Sequence, residues 1–130
     1  MSPKQASRRS GSAQAGAVAH RAGLAAEAAV AAHYLREGLA IAARRWRGQG
    51  GEIDLVARQG SEVVFVEVKR ARSFAVAATR LSARQVSRLF DAAAEFMASE
   101  PAGQNTPVRF DLALVNGVGE IEIVENALGP

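Results

Sequence analysis

The spacing of apolar and polar positions changes several times along the chain, and each change marks an element. In residues 22–37, Val30, Ala31 and Tyr34 recur with Glu27 at the i, i+3, i+4, i+7 spacing of one helical face. The surrounding alanines favour helix, and Gly38 is placed to end it. A strand over Leu39–Trp46 follows, its end crowded with Arg44, Arg45 and Arg47, and Gly48-Gln49-Gly50-Gly51 reads as a loop. Two β-rich runs, Glu52–Ala57 and Val63–Lys69, meet through Arg58-Gln59-Gly60-Ser61, a hairpin signal. Val63-Val64-Phe65-Val66 is apolar at every position, the mark of a central strand covered on both faces.

After a loop over residues 70–81, Ser82-Ala83-Arg84-Gln85 has the capping-box form. It opens a helix running to about Ser99, with Val86, Leu89, Phe90, Ala93 and Met97 inward. Pro101 and Gly103 break the chain, and strands Val108–Val115 and Glu120–Glu125 close it through Asn116-Gly117. The pattern predicts an α/β domain in the order α-β-β-β-α-β-β, a mixed central sheet flanked by helices.

Residues 1–20 are rich in Ser, Gly, Ala and Gln, lack an apolar run and carry no acid; they read as a disordered basic arm before a single domain over 21–130. A chain of 130 residues sustains one core. It has no apolar run of the roughly 18 residues a membrane span needs, and the arm lacks the apolar centre of a secretory signal. The absence of cysteine excludes disulfides, thiolate metal sites and cysteine nucleophiles, and accords with a cytoplasmic location.

Charge is unevenly spread. Residues 44–88 sum to +6 and residues 89–130 to −6, within a net charge of +3. If this segregation survives folding, one surface is electropositive enough for a polyanion. Arg44, Arg45, Arg47, Arg70, Arg72, Arg80, Arg84 and Arg88 are then candidate phosphate contacts, which position a nucleic acid without reading its sequence. The competing reading makes each a solvated surface residue.

The pattern breaks where the central apolar strand ends in Glu67-Val68-Lys69. Alternation puts Glu67 and Lys69 on one face with Val63 and Phe65, where two charges need partners. With an even hairpin loop Arg58 opposes Ser61, so Asp54 faces Phe65 and Glu52 faces Glu67. Asp54 then shares a face with Glu67 as its diagonal neighbour, close enough for both carboxylates to serve one hard cation. An odd loop sends Asp54 to the opposite face. Lysine usage points to the same place: of sixteen basic residues only Lys4 and Lys69 are lysine. Its compact ammonium can orient a water in a way guanidinium cannot. The alternative is a buried Glu67–Lys69 ion pair with Asp54 as a surface acid.

Asp54 followed by Glu67-Val68-Lys69 resembles the PD-(D/E)xK signature of restriction-endonuclease-like nucleases. The longer strings Gly51-Glu52-Ile53-Asp54-Leu55-Val56 and Val64-Phe65-Val66-Glu67-Val68-Lys69 resemble the YraN family of small bacterial proteins. So do the helix Gly23–Ala29 with Tyr34-Leu35, Gln85, and Arg109-Phe110-Asp111. A Gly-Glu-Ile-Asp segment stands where the signature has Pro-Asp.

The resemblance covers about residues 22–125 and implies a restriction-endonuclease-like core, likened to archaeal Holliday-junction resolvases. It implies that Asp54 and Glu67 bind Mg²⁺ or Mn²⁺ with the Val68 carbonyl, that Glu27 reaches the same site, and that Lys69 positions the attacking water. Gln85 becomes a further site candidate, although its capping role already accounts for it. The implied activity is phosphodiester hydrolysis in nucleic acid, with DNA, branched or single-stranded, as the expected substrate. Junction-cutting enzymes usually act as homodimers, but no segment marks an interface. A noncatalytic nucleic-acid-binding module and a protein-interaction scaffold are the competing readings. Trp46 and Asp111 read as a packing residue and a structural hydrogen-bonding group, and His20 and His33 have no histidine partner at ligand spacing.

Overall fold

The structure, a computed structural model, describes residues 3–128, with side chains from Gly16 onward. Helix α1 spans Pro3–Arg36. It therefore begins well before residue 22, within the segment read as a disordered arm; the arm's Lys4, Arg8 and Arg9 side chains lie outside the described residues. The helix ends as expected: Gly38 takes φ +91° while the Leu39 N–H bonds the Tyr34 carbonyl at 3.0 Å and the Gly38 N–H that of Leu35 at 3.1 Å. That is a Schellman closure, which only a residue free of a Cβ enters without strain.

Strands β1 (Ala40–Arg47), β2 (Glu52–Gln59) and β3 (Glu62–Arg70) form an antiparallel meander. The chain then crosses through α2 (Phe74–Ala78) and α3 (Ala83–Met97) to β4 (Val108–Val115), parallel to β3, and returns as antiparallel β5 (Ile121–Val124). The sheet order is β1-β2-β3-β4-β5, with β3 central as its apolar run predicts. This is the expected mixed α/β order with one addition: the loop predicted over 70–81 contains α2, capped by the Ser73 hydroxyl on the Val76 N–H.

Helices cover both faces of the sheet. Val64, Val66, Leu55 and Ala57 pack toward Val30 and Tyr34 of α1. Val63, Phe65 and Phe110 pack toward Leu89, Ala93 and Phe96 of α3, with Trp46 edge-on to Phe96. Leu112 and Leu114 lie against Ala77 of α2. Each such large apolar side chain contributes on the order of 1.5–3 kcal/mol by leaving water. The inward face of α3 keeps the predicted Leu89, Ala93 and Met97 and differs at its edges. Ala92 and Phe96 are buried, whereas Phe90 is 36% exposed and meets Phe110 by its edge. No helix among the described residues is long and apolar enough to cross a membrane.

The β2–β3 register differs from the one predicted. Gly60, at φ +60°, starts a two-residue Gly60-Ser61 turn, the Gly-X pattern of a tight hairpin, so Gln59 rather than Arg58 opens the ladder, opposite Glu62. Every opposed pair moves by two residues and parity is kept. Phe65 faces Val56, and Glu52 no longer faces Glu67.

More consequential is where the ladder stops. The last β2–β3 pair is Leu55↔Val66. Beyond it β2 stays paired with β1 as far as Arg47↔Glu52, and β3 stays paired with β4 as far as Arg70↔Val115. The sheet splits between its second and third strands, from Asp54 and Glu67 onward.

One buried charge ties β4 to α1. Asp111 is fully buried; it accepts the Tyr34 hydroxyl at 2.8 Å, two Arg109 donors at 2.9 and 3.0 Å, and the Asn126 N–H at 2.9 Å. This is the structural role expected of Asp111. Asp111→Ala leaves the tyrosine hydroxyl and a half-buried guanidinium without their partner, an expected loss of about 3–5 kcal/mol. Tyr34→Phe removes one bond and should cost about 1–2 kcal/mol. Urea denaturation of the two variants checks the order; equal losses would refute it.

Candidate active site

The split opens a cleft of about 390 Å³ lined by Glu27, Arg45, Glu52, Asp54, Glu67, Gln85 and Arg88. At its floor the Asp54 Oδ2 accepts the Val68 N–H at 2.8 Å, a side chain reaching across where the two strands have ceased to pair. The Asp54 and Glu67 carboxyls line the same cleft, and the charge of Asp54 bears on the ionisation of Glu67. The Lys69 ammonium sits 3.3 Å from Glu67 Oε1. The three residues singled out by strand alternation therefore converge.

Burial shapes their ionisation. Glu67 is pushed up to about 7, first by desolvation, then by the charge of Asp54, against the pull of Lys69. Asp54 is also raised, mainly by burial, with the Val68 N–H and Lys69 opposing. Glu27, reaching the cleft from α1, is raised by burial and by Asp54. Three acids thus sit where they hold a proton more readily than in water.

Glu52 stands apart from this pair. Arg47 bonds it at 3.1 Å and Arg45 lies 3.4 Å away, and the same Arg45 is 3.8 Å from Glu27. Arg45 holds φ +50°, a left-handed conformation costly for a side chain of its kind. Glu52, which the predicted register set opposite Glu67, is thus paired with guanidinium groups of β1. Gln85 has the capping role: its Oε1 accepts the Ser82 N–H at 3.0 Å while Ser82 Oγ accepts the Gln85 N–H at 3.1 Å. Its position at the start of α3 also makes it part of the cleft wall.

All eight candidate arginines are exposed, but they are not equivalent. Arg45 and Arg88 line the cleft, Arg47 and Arg88 line a hollow beside it, and Arg44 borders a smaller one with Glu27 and Asp54. Arg70, Arg72, Arg80 and Arg84 do not line the cleft. Sequence reasoning missed Glu95, whose carboxylate accepts the Gln49 N–H at 2.8 Å and the Gly50 N–H at 2.5 Å. The signal was the glycines of 48–51, which let the loop lie directly on α3. Among the described residues, no three His, Cys, Asp or Glu side chains meet as a metal-holding group.

The molecule is therefore a mixed α/β protein with paired acids and a lysine at a split in its sheet. The model of the Uncharacterised protein family UPF0102 matches residues 26–115. A UPF0102 protein of Cereibacter sphaeroides is 60% identical over 112 residues, 86% of this chain and 96% of the relative. One of Ruegeria pomeroyi is 63% identical over 110 residues, 85% and 89% of the two chains, and one of Roseobacter denitrificans 53% identical over 114, 88% of each. The chain belongs to the UPF0102 family, the YraN family that its motifs resemble.

The raised Glu67 makes folding take up a proton between its ordinary value of 4.5 and about 7. Stability supplied by the neutral form is full at the acid end and is lost as pH rises through that window. The thermal midpoint should fall by several degrees from about pH 5 to pH 7.5, and Glu67→Gln should flatten most of that fall. An unchanged slope in the variant would show that another group carries it.

Proposed function

We propose that the cleft hydrolyses phosphodiester bonds in nucleic acid, with DNA the expected substrate and Mg²⁺ or Mn²⁺ as cofactor. The observation that carries this reading is the convergence of Asp54 and Glu67 across the split with Lys69 at 3.3 Å from Glu67. Oxygen donors of this kind suit a hard cation, and acids that resist ionisation side by side gain most when such a cation replaces their proton. Asp54 and Glu67 would hold the ion with the Val68 carbonyl, and Glu27 would contribute from α1. When bound, the ion supplies charge neutralisation at the phosphate and a more acidic water.

The chain's own residues do the rest. Lys69 donates to the attacking water, holds it in line with the phosphorus and offsets the charge that builds on the phosphate oxygens. Glu67, which lines the cleft, holds the Lys69 ammonium 3.3 Å from its own carboxylate. Arg45 and Arg88 stand at the cleft wall, where guanidinium groups orient a phosphate. The exposed arginines with only a pair of acids in contact also support a second reading, a module that binds nucleic acid without cutting it.

Calorimetry with Mn²⁺ and a cleavage assay on single-stranded, duplex and junction DNA separate the two. The hydrolase reading expects a binding heat that Asp54→Ala abolishes, together with Mn²⁺-dependent cleavage that falls at least about a hundredfold in Lys69→Ala. Equal heats in wild type and Asp54→Ala, with no cleavage of any substrate, favour the binding module.

A further inference from the structure

The hollow beside the cleft has a volume of about 310 Å³ and is lined by Arg47, Gly48, Gln49, Gly51, Glu52 and Arg88. It shares Glu52 and Arg88 with the cleft itself, so the two spaces are continuous along one wall. Its charge balance is cationic: Arg47 and Arg88 face a single carboxylate, Glu52, which Arg47 and Arg45 already bond.

Arg88 is the free charge. Among the described residues no carboxylate lies within 4.0 Å of its guanidinium, a property it shares with Arg44, Arg70, Arg72, Arg80 and Arg84, whereas Arg45 and Arg47, the other arginines lining the cleft and the hollow, are paired. Of the acids that follow it on α3 at i+3 and i+7, neither pairs with it within 4.0 Å, and Glu95 is engaged by the loop instead. Asp91 packs under Gly50, and Glu95 accepts two loop N–H groups.

The same contacts fix where Arg88 stands. A Cβ at Gly51 would lie 3.0 Å from the Arg88 carbonyl oxygen and one at Gly50 2.8 Å from the Asp91 Cβ; one at Gly48 would overlap the Glu95 carboxylate. Three glycines thus let the loop before β2 seat on α3, and Gly51 on Arg88 is only three residues from Asp54. The backbone that carries this unpaired guanidinium is held at a set place relative to the paired acids.

We infer that Arg88, whose backbone the Gly48–Gly51 loop seats, is the cation of a second anion subsite, which takes the phosphate next to the one at Asp54 and Glu67. The preferred substrate is then a strand with at least two consecutive phosphodiesters, not an isolated one. This inference rests on the hydrolase reading for the identity of the first phosphate, while the second subsite can be tested by binding alone.

A labelled oligonucleotide is titrated over a salt series with Ca²⁺ present, so that affinity is read without turnover. Arg88→Ala should weaken binding about tenfold and reduce the log–log salt slope by about 0.7–0.9. Arg88→Lys should restore the slope, and Arg36→Ala, remote at the end of α1, should change neither. In turnover, Arg88→Ala should raise KM several-fold more for the oligonucleotide than for bis(p-nitrophenyl) phosphate, which has one phosphodiester. Unchanged salt slope and affinity in Arg88→Ala would overturn the subsite, as would equal losses on the two substrates. A wild type that cleaves neither substrate overturns the hydrolase reading, and the salt slope then still decides the subsite.

Discussion

The structure depends on the point at which β2 and β3 stop pairing. A sheet that continued past Leu55↔Val66 would press Asp54 and Glu67 into a closed ladder, two like charges side by side with no water between. Instead each strand keeps only its outer neighbour, and the Val68 N–H past the split finds its acceptor in the Asp54 carboxylate. A backbone donor that would otherwise lose its partner is satisfied by the side chain that forms the cleft floor. The opening and the placement of its acids are one event.

That geometry sorts the charges. Glu52 is neutralised by guanidinium groups from β1, and its acidity is spent on holding the cleft rim. The Lys69 ammonium is the cation beside Glu67; both acids are pushed toward their neutral forms by burial, and Glu67 also by the charge of Asp54. The cleft therefore has a floor short of positive charge and a rim with an unpaired Arg88. A cation suits the first and an anion the second, and a metal-bound phosphate is a ligand that presents both.

Much of this was legible because strand period and helix period are local properties. Val63–Val66 declared β3 central, β4 begins and ends where its apolar run does, and Ser82 and Gln85 form the capping box their spacing predicts. Convergence of Asp54 with Glu67 needed only the parity of the hairpin, which survives a shift of register by two. The register itself turned on the φ of Gly60, and Gly alone does not say whether the tight turn begins at it or before it. Helix α2 has five residues, too few for a periodic signal, and is held by Ala77 against β4. The left-handed Arg45 and the bonds of Glu95 depend on residues far apart in the chain, which no local pattern encodes.

Helix α3 is what joins these scattered features into one site. At its first turn the capping box fixes Gln85 beside the cleft, and three turns later Glu95 grips the amides of the loop that leads into β2. A rigid helix spans roughly 15 Å over those ten residues, so the two attachments brace the β2 side of the split against the helix that packs on β3. Arg88 lies between the attachments, with Leu89, its neighbour, buried in the core at 2% exposure. Its backbone cannot shift without moving either the cap, the core or the loop. An exposed, unpaired cation is usually free to wander; here only its side chain is, and the arc that side chain sweeps opens onto both hollows at the mouth of the split.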